Sequence, residues 1–135
     1  MQAEMAGRVI LIVGGTGGMG LSAARRLVSA GARVIITGRE QEELDGALEA
    51  LGGGSRGLAG NAAAPESAEE AVALAVKAFG RLDALYHVAG GSGRRLGDGP
   101  LHELTDEGWE YTLGQNLDSV MFSNRAAVRQ FLGQG

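Results

Sequence analysis

A chain of 135 residues with 44% apolar side chains can bury one core but cannot hold separate cofactor and substrate domains, so a single domain over 1–135 is expected. Its formal charge of −4 comes from scattered acids and arginines with no basic run, which argues against nucleic acid as a partner. The absence of cysteine and the wide separation of the two histidines, His87 and His102, leave no metal site or disulfide to expect. With no signal-peptide pattern and no apolar run near the ~20 residues of a membrane span, a soluble cytoplasmic protein is expected.

The elements follow in order. Val9 to Val13 is an unbroken apolar run, read as a buried strand that ends in the glycine cluster Gly14 to Gly20. Residues 18 to 30 place Met19, Ala23, Leu27 and Ala30 on one face of a helix, with Gly31 at its C-terminal cap. Ala32 to Thr37 is a second strand, followed by a helix carrying Leu44, Ala47, Leu48 and Leu51 and ended by Gly52 to Gly54. Arg56 to Gly60 is low in strand propensity but lies where a third strand belongs. Pro65 suits the first turn of a helix with Val72, Ala75, Val76 and Phe79 on one face and Glu66, Glu69 and Glu70 towards its positive end. Ala84 to Ala89 reads as a fourth strand, and a glycine-rich loop, Gly90 to Gly99, leads to Thr105 as N-cap of a long final helix. Four strands alternating with helices predict an α/β Rossmann-type doubly wound parallel sheet in the order 3-2-1-4. Its crevice would open where the connections of strands one and four part, lined by Gly14 to Gly20 and Ala89 to Gly91.

The glycine cluster fits two templates at once, Gly15-x-Gly17-x-x-Gly20 and Gly14-x-x-x-Gly18-x-Gly20. A strand before it and a helix after it give the context in which glycine lets a pyrophosphate approach the main chain and the helix N-terminus meets the anion.

These residues and the later ones resemble the short-chain dehydrogenase/reductase family over essentially the whole chain. The resemblance makes Gly14, Gly18 and Gly20 the phosphate-loop glycines, with Gly17 and Met19 between them. Thr16 takes a small hydroxyl position contacting the cofactor, and Val13 replaces the usual threonine. Asn61, followed by Ala62, stands where the family often has an aspartate near the adenine ring, and a neutral amide can donate to and accept from adenine nitrogens. His87-Val88-Ala89-Gly90 corresponds to Asn-Asn-Ala-Gly, so Ala89, Gly90 and Gly91 keep the close approach while both asparagines are lost. Trp109 and Asn116-Leu117 match the following helix, where the family's asparagine, here Asn116, helps place a water for proton relay. On the residues alone, His87 reads as a satisfied strand residue, Trp109 and Phe122 as packing, and Arg94 and Arg95 as a solvated pair.

Cofactor choice turns on the end of the second strand, Thr37-Gly38-Arg39-Glu40. Gly38 occupies the usual acid position and Arg39 follows it, favouring the 2′-phosphate of NADP, while Glu40 leaves NAD possible. The family's catalytic tyrosine, lysine four residues on and serine have no counterpart: Tyr86 is followed by Gly90, Tyr111 by Gln115, and the one lysine, Lys77, is preceded by Ala73. The expectation is therefore a truncated, NADP-binding oxidoreductase-family chain, inactive in isolation, with a non-catalytic nucleotide-binding or assembly subunit, or a structural remnant, as the alternative. The apolar edge at 84–89 and the uncovered residues Leu113, Leu117, Val120, Met121, Val128 and Phe131 of the helix at 105–132 predict a homo-oligomer or a partner chain.

Overall fold

The structure, a computed structural model, describes residues 4–135. Four strands, β1 (Val9–Val13), β2 (Arg33–Gly38), β3 (Arg56–Ala59) and β4 (Ala84–His87), form one parallel sheet in the order β3-β2-β1-β4. Between them run α1 (Gly18–Ser29), α2 (Gln41–Leu51) and α3 (Pro65–Phe79). After β4 come a short 3₁₀ turn (Arg94–Leu96), α4 (Asp106–Leu113), a π-helical turn (Gly114–Asp118) and α5 (Ser119–Gln134).

β1 is apolar at every position because both of its faces are covered. Val9, Leu11 and Val13 face a core completed by Ala71, Val72 and Ala75 of α3 and Ala126 and Ala127 of α5. Ile10 and Ile12 face the opposite core, with Ala24 of α1 and Leu44, Ala47 and Leu51 of α2. In parallel register Ile12 stands beside Ile36 of β2 and Tyr86 of β4. The helix after β1 and the helices after β4 thus lie on opposite faces, which opens a crevice at the carboxyl ends of these neighbouring strands.

The caps stand where the residue types require. Gly31 and Gly80 take φ of +94° and +82° just beyond α1 and α3, Pro65 opens α3, and the Thr105 hydroxyl accepts from the Gly108 N–H at 3.0 Å. Asp83 pins the entry to β4. Its carboxylate, 7% exposed, accepts from the Val9 N–H at 2.9 Å and meets Arg81 at 2.7 Å. Burial raises its pKa, but the Val9 hydrogen bond and the charges of Arg81 and Arg8 outweigh burial and hold it below the usual value.

Five expectations need correction. The fully buried residues of α1 are Gly20 and Ala24; of the expected face Leu27 packs against the core, but Met19 is 72% exposed. The final helix is not regular: the Ser119 N–H reaches back five residues to Gly114 O, and the π turn includes Asn116. Gly114, Asn116 and Asp118 there are poor helix formers. Trp109 is 54% exposed, not packed. Phe131 is covered, lying against the α3–α5 core, as does Phe122, whereas Leu117, Val120, Met121 and Val128 are exposed as expected. Strands β3 and β4 stop at Ala59 and His87, one and two residues short of the expected ends.

Candidate functional site

The carboxyl ends of the strands are stitched together by the chain that leaves them. The Gly14 and Gly15 N–H groups both donate to Thr37 O, at 3.1 and 2.9 Å, the Ala89 N–H donates to Val13 O at 3.0 Å, and the Gly60 N–H to Gly38 O at 2.9 Å. Between them opens a cavity of about 220 Å³ lined by Gly14, Thr16, Gly38, Arg39, Ala62, Ala89 and Gly90, with Glu40, Glu43 and Gln115.

The glycines here have different reasons to be glycine. At Gly14 (φ +87°) a Cβ would lie 2.7 Å from the Ala89 nitrogen, so the two loops touch only because it is absent. A Cβ at Gly20 would overlap Gly14 O, which seats α1 directly on the turn. Gly17 and Gly18 differ: among the described residues, no atom beyond their own stretch of chain lies within 4 Å of where their Cβ would be, so the space over the turn is open. α1 has Gly17 at its N-cap, with no side-chain cap and no acid in its first turn, in contrast to α4, where Thr105 caps and Asp106 and Glu107 follow. An uncapped N-terminus below an open glycine turn is the form a phosphate needs.

The second-strand end is built by a contact that sequence reasoning missed. A Cβ at Gly38 would overlap the Thr16 methyl and stand 2.8 Å from its hydroxyl, so Thr16 crowds the first atom of any side chain at the usual acid position. Arg39 is exposed, and its guanidinium donates to the Tyr111 hydroxyl at 3.4 Å. Tyr111 and Gln115, from α4 and the π turn, form with Arg39 and Asn61 a second recess adjoining the crevice. Neither could be found from the strand-helix pattern, because α4 enters this corner only through the fold of the 90–105 loop. In that loop Gly93 donates to Thr112 Oγ1 at 3.0 Å, and Thr112 donates to Asp98 at 2.8 Å.

Asn116 is exposed, and its amide is engaged on the loop after β4. Its Oδ1 accepts from the Gly91 N–H at 3.1 Å, while its Nδ2 donates to Gly91 O and to Thr112 O. A Cβ at Gly90 would stand 2.7 Å from that Oδ1, so Gly90 is what lets Asn116 reach the loop. Beneath it, His87 Nε2 lies 2.9 Å from Ala89 O, which can only accept, so this nitrogen carries the hydrogen. Nδ1 then accepts from Ser123 at 2.8 Å, and Ser119, 3.3 Å from Nε2, donates to Gln115 O. Burial lowers the His87 pKa, and the Ala89 carbonyl only partly opposes it. His87 is thus a satisfied structural residue, and Arg94 and Arg95 are exposed.

Of the residues singled out in the sequence, Gly14, Thr16, Arg39, Ala62, Ala89 and Gly90 share one cavity. Asn61 lines the adjoining recess, Gly17 and Gly18 form the exposed turn, Gly20 is buried under it, Met19 faces solvent, and Gly91 is bound to Asn116.

The short-chain dehydrogenase family model matches residues 8–135. The chain is 31% identical over 130 residues to a probable 2,4-dienoyl-CoA reductase of Bacillus subtilis, covering 94% of this chain and 50% of that protein. To the short-chain reductase protein NovJ of Streptomyces niveus it is 32% identical, covering 94% and 48%. Among solved structures, a short-chain type dehydrogenase/reductase from Mycobacterium ulcerans superposes with a TM-score of 0.87 at 31% identity, covering 97% of this chain and 49% of that one. The chain spans about half the length of the curated relatives it matches. The parallel sheet, the glycine turn and this match over nearly the whole sequence make the chain a member of the short-chain dehydrogenase/reductase family, whose members bind a nicotinamide dinucleotide.

Proposed function

We propose that these 135 residues are the dinucleotide-holding part of a short-chain oxidoreductase and that they favour NADP. The observation that carries the nucleotide reading is the open turn over the uncapped start of α1, which leaves room and N–H donors for a pyrophosphate. Gly14, Gly17 and Gly18 would hold the phosphates, Ala89 and Gly90 would bound the nicotinamide side, and Arg39 would meet the 2′-phosphate. Thr16 over Gly38 supports NADP over NAD, since it leaves no place for the acid that binds a 2′-hydroxyl. The bound group would supply a hydride. The matching proton needs an acid near its working pKa, and no tyrosine here has a lysine four residues on. Isolated, the chain therefore binds without turning over carbonyls. Asn116 serves it by holding the 90–91 loop.

Calorimetry with NADPH and NADH tests this. Binding of NADPH, weakened about tenfold by Arg39→Ala with NADH unaffected, is the expected result. No binding of either at millimolar concentration refutes the nucleotide reading, and carbonyl turnover at ordinary enzyme rates refutes the missing acid. We further propose that the outer side of β4 and the exposed Leu117, Val120, Met121 and Val128 are covered by more polypeptide, from a second copy or a partner chain. A strictly monomeric species by light scattering would contradict self-association.

A further inference from the structure

The recess beside Arg39 has an unusual polarity at Asn61. Asn61 Oδ1 accepts from the Ala63 N–H at 3.0 Å and faces the Gln115 Nε2 donor at 3.4 Å. A backbone N–H can only donate, so the first bond fixes which way the amide is turned: the oxygen is engaged by the chain itself, and Nδ2, with its two hydrogens, is the group left for a ligand. With Arg39 at the ribose 2′-phosphate, as proposed above, the recess between Asn61, Tyr111 and Gln115 adjoins that ribose and offers a place for its base. Adenine and the 6-oxopurines share an acceptor at N7 and differ at position 6, where adenine carries an amino donor and hypoxanthine or guanine an oxygen acceptor. Facing the edge that carries N7, away from the N1–H that an oxopurine would donate, a carboxylate at residue 61 would accept from the 6-amino group and repel a 6-oxygen. An amide whose oxygen is already engaged offers donors alone, which suit N7 of either base and O6 of the oxopurines.

We propose that this recess reads the N7 edge of the purine by donation from Asn61, and so accepts 6-oxopurine dinucleotides alongside adenine ones. This rests on the nucleotide reading given above. The test is titration of the 135-residue chain with NADPH and with reduced nicotinamide hypoxanthine dinucleotide phosphate. The two dissociation constants are expected to lie within about threefold of each other, and Asn61→Asp to favour the adenine form by about tenfold, the value of a hydrogen bond to a charged acceptor. Asn61→Ala, which keeps no polar group there, should weaken both forms alike. A wild-type preference for adenine of tenfold or more overturns the proposal, as does an unchanged ratio in a folded Asn61→Asp chain or a loss in Asn61→Ala confined to the adenine form. Binding of neither dinucleotide refutes the nucleotide reading itself and takes this inference with it.

Discussion

Replacing Gly38 by aspartate, the change that would install an NAD-type acid, should fail in this chain unless Thr16 is changed with it. A Cβ at residue 38 stands 2.8 Å from Thr16 Oγ1 and 3.1 Å from its Cβ, and overlaps the methyl. To reach an ordinary contact the hydroxyl must retreat by about 0.6 Å, from 2.8 to 3.4 Å, and the methyl further. The backbone leading to Thr16 is held, because Gly14 and Gly15 are both bonded to Thr37 O, so the methyl and hydroxyl themselves must turn away from residue 38. Overpacking of this kind costs about 1–3 kcal/mol. With a urea m-value of about 2 kcal/mol/M, the unfolding midpoint of Gly38→Asp should fall by roughly 0.5–1.5 M. NADH affinity should not improve, since the displaced turn is also the proposed phosphate cradle. Thr16→Ala with Gly38→Asp removes the overlapping methyl and hydroxyl, so the double variant should regain most of the lost stability and prefer NADH. The interaction term of this double-mutant cycle is the decisive quantity. If Gly38→Asp alone keeps the wild-type midpoint, or binds NADH tightly with Thr16 in place, the reasoning from Thr16 is wrong.

Gly20→Ala should be more damaging, because the obstacle is the backbone oxygen of Gly14 and α1 must lift as a whole; about 3 kcal/mol or more of stability, or failure to fold, is expected by urea denaturation. His87 gives a pH dependence. Its folded pKa lies below the unfolded value of 6.5, so the stability it contributes is complete above about pH 6.5 and is lost as pH falls through the lowered folded value. Melting curves between pH 7.5 and 5 should therefore fall more steeply for wild type than for His87→Asn, and parallel curves would contradict this assignment.

The fold was legible because its signals are local and mutually consistent. β1 is apolar throughout, the glycine ends of α1 and α3 fall where the apolar pattern stops, and Pro65 and Thr105 mark helix starts by their own chemistry. What the sequence hid depends on contacts between distant segments. The pairing of Thr16 with Gly38, and of Arg39 with Tyr111, leaves no mark in any periodicity. Met19 fits a helical face by spacing, yet it stands 72% exposed beside Gly20, the residue by which the first turn of α1 is seated. The π turn did have a signal, since Gly114, Asn116 and Asp118 are all poor helix formers, but an apolar-periodicity reading passes over polar positions.

That turn also explains why the long helix bears on the crevice at all. A regular α-helix repeats one geometry along its length, whereas the extra residue in this one resets the facing of everything after it. Before the reset, Tyr111 faces Arg39; within it, Gln115 meets Asn61 and Asn116 grips Gly91; after it, Ser119 and Ser123 meet His87 below the same loop. At the far end the Gln134 amide accepts from the Leu82 N–H at 3.1 Å and donates to Leu82 O, a two-way pairing like that of a neighbouring strand. The helix is therefore fastened to the stretch leading into β4 and to the loop leaving it. Any polypeptide that packs on its exposed outer residues presses on a rod whose inner side holds the cavity wall, so covering that face should tighten dinucleotide binding even without touching the dinucleotide.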